Sequence, residues 1–453
     1  MKAGFFGTLP RMVRRDETTH AQGYGGVLVA AVDMGYGHLR AAHALASALG
    51  VEVVEVDRQP FATPGEERLW NQLRRAYTFL SRASQTPLLG RTLRRLLDGL
   101  TAIPRLYPYR DQSSPTLAVE LLYHLVRRGL GDNLVRHLKR SGDSLLTTFF
   151  APALAAAEAG VPRVVCVATD SDVNRVWAPR QPRGAVIEYC VPSQQALRRL
   201  RAYGVPASRI HVTGFPLPLE LTGHADESQQ KERLAARLVR LDPAGVFRQQ
   251  YREELAHVLG PLPQGEEGQP PRLTFAVGGA GAQSRIARAL VSSLAPLVRE
   301  GRLRLALVAG VRRELAARFE EWLDGAGLAG EGEERVEVLC APSLPEYFSA
   351  FNQLLLRTDI LWTKPSELTF FGAAGLALIF APPVGAHERF NRRWAIQRGA
   401  GVKQYSPGTA GQWLREWLEE GILAGAAWNG YRRLPRRGTA NVLEVMRRVQ
   451  VEW

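Results

Sequence analysis

Asp33, Gly35, Gly37 and His38 follow directly on the apolar run GVLVAAV (26–32), and DMGYGHLRAAHALASAL reads as a glycine-containing turn entering a helix. Glycines in such a turn let backbone N–H groups approach a ligand with no side chain in the way. The helix N-terminus adds partial positive charge suited to a phosphate or a developing anion. An imidazole titrates near neutrality, so His38 could take a proton from a hydroxyl, or could simply cap the helix. The full G-x-G-x-x-G spacing is absent.

Two further stretches have the same grammar. FAVGGAGAQSRIARAL (275–290) is an apolar run, a glycine loop at Gly278, Gly279 and Gly281, then Gln283 and Ser284 at a helix start. ILWTKPSELTFFGAAGLALIFAPPVGAHERFN (360–391) sets Lys364 at the carboxyl end of a strand, with Ser366 as N-cap before Glu367. It then brings His387, Glu388 and Asn391 to the end of the next apolar run. Lys364 is one of only five lysines in an arginine-rich chain. Two glycine loops, each after the first strand of a domain, suggest a ligand held between facing loops.

The elements that must position these residues can be read from hydrophobic texture. GVLVAAV, VEVVEV, SLLTTF, RVVCVAT, AVIEYCV and RIHVTG are short apolar runs separated by helical stretches. Several are continuous rather than alternating, as in parallel strands buried on both faces. The rhythm restarts at RLTFAVGG and continues through RLRLALVAG, VEVLCAP, ILWTKP and LALIFAPP. The fold class expected is α/β, with two doubly wound domains. The expected boundaries are an extension at 1–24, a first domain at 25–220, a helical linker at 221–270, a second domain at 271–430 and a C-terminal helix at 431–453. A helical, arginine-rich insertion is expected at 66–110, amphipathic enough either to pack on its own domain or to meet anionic lipid.

Composition bounds the rest. A chain of 453 residues with 45% hydrophobic and 23% charged residues has the makings of a soluble globular protein with more than one core. Cys166, Cys190 and Cys340 are far apart and show neither metal spacing nor a disulfide framework, so a reducing, cytoplasmic setting is expected. No signal-peptide core or membrane-spanning run is legible. The net charge of +14 predicts attraction to anionic partners. No recognised nucleic-acid module accompanies it, so nucleic acid is not expected.

The ordered set of G-x-G-H after the first strand, TDSDVNRVW in the middle, GGAGAQ, and TKP…GAHE…N resembles the GT-B glycosyltransferases. Within these it is most similar to the monogalactosyldiacylglycerol synthase and processive diacylglycerol glucosyltransferase group, related to the peptidoglycan N-acetylglucosaminyltransferase. The resemblance runs from about Gly25 to Gly401.

It implies two Rossmann-like domains facing across a cleft. A nucleotide sugar, usually UDP-linked, would be held by the second domain, and a lipid or other hydroxyl acceptor would face the first. Transfer would need neither metal nor cofactor. The resemblance puts Gly278, Gly279, Gly281 and Gln283 at the diphosphate and Lys364 and Ser366 beside the donor. His387, Glu388 and Asn391 would face the sugar or diphosphate, and the Gly35/Gly37 turn the reacting centre. His38 and Asp170 are the catalytic candidates. The glutamate that grips the ribose aligns with Glu367 under one placement of the gap and with Gly372 under another. In the TD segment Ser171 and Asn174 replace the usual aromatic residue and histidine. These departures keep alternatives open: a GT-B-like binding or regulatory protein without transfer activity, or a sugar-nucleotide epimerase. The insertion lies where such enzymes meet membrane and lipid, so a peripheral membrane location is a further expectation.

Overall fold

The computed structural model describes residues 26–83, 103–184, 186–223, 226–276, 284–332, 334–383 and 385–451, without the side chains of 76–83 and 284–285. The apolar runs form two six-stranded sheets. The first contains β1 (Val27–Ala31), β2 (Val53–Glu55), β3 (Ser144–Thr147), β4 (Val164–Val167), β5 (Ile187–Val191) and β6 (Ile210–Val212), in the order β2-β1-β3-β4-β5-β6. The second contains β7 (Arg272–Ala276), β8 (Arg304–Gly310), β9 (Val336–Cys340), β10 (Ile360–Thr363), β11 (Ala377–Phe380) and β12 (Gly401–Lys403), in the order β12-β11-β10-β7-β8-β9. Every pairing is parallel. SLLT, VVCV and ILWT are buried at every position, because helices cover both faces. This is the GT-B arrangement of two Rossmann-like domains.

Strand order fixes where chemistry can occur. In each sheet the order reverses beside the first strand, and a crevice opens beyond the carboxyl ends there. In the first sheet that point lies between β1 and β3; in the second, between β7 and β10. Helix α1 (Tyr36–Leu49) leaves β1 through the Gly35 turn and buries Leu39, Ala41, Ala42, Leu45 and Ala46. One apolar cluster joins this helix to second-domain residues such as Phe351, Phe371 and Leu378. Phe215, just after β6, stacks on Phe370 with centroids 4.9 Å apart and planes 3° from parallel.

The expected linker is part of a domain wall. Helix Ser228–Arg240 buries Leu234 and Leu238 in the second core. Its Arg237 donates to the carbonyls of Thr358, Ala374 and Gly375 at 3.0–3.1 Å. At the other end, helix Gly438–Val451 returns to the first domain and packs on α1, β4 and β5. The two interdomain crossings touch. A Cβ at Gly214 would sit 2.6 Å from Pro435 Cβ, and one at Gly438 would sit 1.9 Å from the Phe215 carbonyl oxygen.

The 66–110 segment is helical only in part. Helix α2 (Pro64–Ala83) opens with a reciprocal cap: Thr63 N donates to Glu66 Oε2 at 2.8 Å, and Glu66 N donates to Thr63 Oγ1 at 3.2 Å. Buried Leu69 and Trp70 dock it on its own domain. Residues 103–110 are irregular, correcting the expectation of helix there. Pro104 and Pro108 each remove a backbone donor and clash with a preceding helical turn. Residues 84–102, with Arg91, Arg94 and Arg95, lie outside the described residues.

Candidate functional site

His38 spans the first switch point. Its Nδ1 lies 2.8 Å from the Thr148 carbonyl oxygen, just beyond β3, and Thr148 Oγ1 donates to the His38 carbonyl at 2.8 Å. A carbonyl only accepts, so Nδ1 carries the proton. The neutral ring therefore keeps Nε2 unprotonated, as a proton acceptor requires. Thr169 Oγ1 lies 3.1 Å from the same Nδ1. Phe149 and Trp177 border the ring, at centroid distances of 4.9 and 6.2 Å. Burial lowers the His38 pKa below the usual imidazole value, although the Asp170 carboxylate and the Thr148 bond pull the other way. The ring is thus neutral at pH 7 in its basic tautomer.

Asp170 and Asn391 meet across the cleft. Asn391 Nδ2 donates to Asp170 Oδ1 at 2.8 Å, and Ser171 N donates to Asn391 Oδ1 at 2.8 Å. Asn391 belongs to helix Ala386–Ile396 of the second domain and is fully buried. Both ends of its amide therefore clasp the TDSD loop. That loop is pinned from behind by a bidentate pair: Arg199 Nε to Asp172 Oδ1 at 2.8 Å and Nη2 to Oδ2 at 3.1 Å. Neither side chain is exposed.

Lys364 stands at the end of β10, at the second switch point, and its Nζ donates to Glu388 Oε1 at 2.9 Å. Burial alone would lower the Lys364 pKa, but the carboxylates of Glu388, Glu367 and Asp170 outweigh it and the net shift is upward. Lys364 is held as a cation. Ser366 occupies the N-cap position, but its side chain makes no capping bond, contrary to expectation. The helix after it, Glu367–Ala374, is a wholly buried 3₁₀ segment, so its apolar side chains, not a cap, hold it in place. A Cβ at Gly385 would lie 2.7 Å from His387 Cε1, which places that ring back over its own turn.

Of the two positions aligned with the ribose glutamate, Glu367 is at the cleft. A Cβ at Gly372 would meet Leu378 and Leu434 at 3.0 and 3.1 Å, inside apolar packing. The structure therefore brings His38, Gly37, Asp170, Lys364, Glu367, Glu388 and Asn391 together, with Gly35 exposed at the turn. Gly278, Gly279, Gly281 and Gln283 lie outside the described residues. Among the described residues, no cluster of His, Cys, Asp and Glu is arranged to hold a metal ion. No described helix is long and apolar enough to cross a membrane.

Sequence reasoning missed Arg40, Thr148, Asp172 and Arg199. Arg40 left a trace: it is the one charged residue in the Leu39–Ala46 stretch that α1 turns inward. Thr148 left none, since its bond to the His38 ring is made by a main-chain carbonyl.

A family profile described as a domain of unknown function (DUF6938) matches residues 262–405, the stretch that contains the whole second sheet. No curated protein matches the chain. Among solved structures, MurG of Acinetobacter baumannii is 16% identical, with 93% of this chain and 99% of that one covered and a TM-score of 0.47. A glycosyltransferase of Rickettsia africae is 12% identical, with 94% and 98% covered and a TM-score of 0.42. HepE of Anabaena in complex with UDP-glucose is 14% identical, with 73% and 82% covered and a TM-score of 0.41. At these scores the fold rests on the chain's own two sheets.

Proposed function

We propose that the chain is a glycosyltransferase that moves a sugar from a nucleotide-diphosphate donor, UDP-linked, to a hydroxyl acceptor, without a cofactor. The observation that carries this reading is the His38 tautomer. A neutral imidazole with Nε2 free to accept a proton faces a cleft whose other wall supplies a charged lysine. In this reading Nε2 takes the acceptor's proton as the sugar is transferred, and Lys364 offsets the negative charge gathering on the departing diphosphate. Ser366 flanks the donor, and Asp170 favours the imidazolium once formed. Asn391 orients Asp170 rather than the sugar.

Incubation with UDP-, GDP-, TDP- and ADP-sugars, with and without lipid and soluble hydroxyl acceptors, tests the reading through its products. Acceptor-dependent release of nucleoside diphosphate is expected. Conversion of the sugar nucleotide alone would assign an epimerase. Lys364→Ala should weaken nucleoside-diphosphate binding about tenfold, the size of one lost charge-assisted contact of roughly 1.4 kcal/mol, as read by calorimetry. Unchanged affinity would take Lys364 out of the donor site.

A second reading, a binding or regulatory protein without transfer, is favoured by the way Asp170, Asn391, Lys364 and Glu367 each engage another protein group. Nucleotide binding with neither transfer nor donor hydrolysis would establish it.

The lipid acceptor and the membrane belong to the same proposal. Tyr107, Tyr109, Leu117 and Leu121 are each more than half exposed, and exposed Arg105 and Arg110 share their segment. Aromatic and aliphatic groups beside arginines suit an anionic lipid surface. Flotation with phosphatidylglycerol vesicles should fall several-fold in a Tyr107→Ser/Tyr109→Ser variant. Undiminished flotation would exclude this patch.

A further inference from the structure

Gly37, in the first turn of α1, leaves a space that the protein itself fills. Gly35, the N-cap residue, supplies no side-chain cap. A Cβ at Gly37 would lie 3.3 Å from Glu367 Cβ and 3.4 Å from Glu367 Oε2. The carboxylate against the first turn of α1 thus comes from the opposite domain. One turn further along α1, Arg40 reaches the same carboxylate, with Nε 3.7 Å from Oε1.

Arg40 is only 2% exposed. Its guanidinium carbon lies 4.7 Å from the ring centroids of both Phe348 and Phe351, 5.4 Å from Tyr347 and 5.7 Å from Phe371. All four rings belong to the second domain. Nη2 donates to the Tyr347 hydroxyl at 3.2 Å, whereas Nε and Nη1 have no hydrogen-bond partner. A buried guanidinium with two unused donors, set behind a helix N-terminus, is an anion seat whose hydrogen bonding is incomplete with its present occupant.

We propose that the first turn of α1 and Arg40 form a seat for a ligand's phosphate group, and that Glu367 is its resident occupant, a built-in anion that a phosphate-bearing ligand must displace. The proposal takes its ligand class from the nucleotide-diphosphate reading above, but gives Glu367 the opposite role to a ribose grip. While Glu367 fills the seat, the domains are latched. A diphosphate entering the cleft competes with the carboxylate for the same positive potential, so entry and unlatching are one event. Neutralising Glu367 removes the competitor while its shape remains.

The test is calorimetric titration of inorganic pyrophosphate, which carries neither sugar nor base, into wild type, Glu367→Gln and Arg40→Met/Glu367→Gln. Removing a carboxylate from a helix N-terminus and its arginine should tighten pyrophosphate binding by Glu367→Gln about tenfold. The double variant should lose that gain. In the wild type, saturating pyrophosphate should raise the radius of gyration in small-angle scattering and speed deuterium exchange in the 366–372 segment, a readout independent of any variant's folding.

Equal or weaker pyrophosphate binding by Glu367→Gln overturns the proposal, as does a wild type that binds pyrophosphate with no change in scattering or exchange. Absence of binding in both proteins also overturns it. The two readings fail separately. Gain of pyrophosphate affinity without glycosyl transfer keeps the latch and sinks the transferase; transfer without the gain does the reverse.

Discussion

Changing His38 to alanine is expected to lower kcat by about 10²–10⁴, the usual contribution of a positioned general base, with nucleotide affinity changed little. The discriminating evidence is the pH profile. Burial lowers the His38 pKa, so the ring takes up its proton only below the ordinary imidazole range. Wild-type kcat/KM should therefore be flat through neutrality, with an acid limb displaced below that range. The limb should be absent from the residual activity of His38→Ala. The same shift acts on stability. Below the unfolded-state pKa the unfolded chain binds a proton that the folded chain refuses, so this group's contribution falls as the pH drops through that window. A profile centred at the ordinary imidazole value would show a solvated ring and remove the tautomer from the mechanism.

Replacing Arg199 by methionine should cost about 3–5 kcal/mol, because it leaves Asp172 charged and buried with no counter-ion. Asp172 also accepts from Val173 N and from Gln195 Nε2, so the carboxylate organises the whole turn behind Asp170. The urea midpoint should fall sharply, and Arg199→Met/Asp172→Asn should recover a good part of it. The loss should also reach the cleft, since Asp170 and Ser171 would no longer be held against Asn391. A midpoint unchanged within error would mean that the pair contributes nothing beyond a hydrophobic replacement.

How much of this was legible depends on the kind of signal each residue leaves. Parallel strands announce themselves as uninterrupted apolar runs, and eleven of the twelve could be read from runs such as RVVCVAT and LALIFAPP. The exception, β12, is the three-residue GVK, too short to have a period. The turn before α1 was legible because glycine acts locally, and Gly35 takes a φ of 124°; the break at Pro104 and Pro108 was passed over because the arginine-rich pattern promised more helix. The partners were not legible. Asn391 reads as a sugar ligand in a motif, yet its amide is committed to Asp170 and Ser171, some 220 positions away. TDSDVN looked like a site stripped of an aromatic residue and a histidine. In the fold its second aspartate meets Arg199, a residue that sequence offers as one basic helix position among many. Pairings across a cleft are set by how two domains meet, and no local period encodes that.

The touching crossings at Gly214 and Gly438 have a mechanical consequence. A body tied to another at two neighbouring points keeps a single easy rotation, about the line through them, much as a door turns on two pins set close together. Sliding and twisting would pull the pins apart. A methyl group at Gly438 would press on the Phe215 carbonyl, wedging the door at its pins. Leverage then grows with distance from that line: a few degrees at the glycines become ångströms at the far rim, where one domain's side chains must part from the other's to let a substrate in.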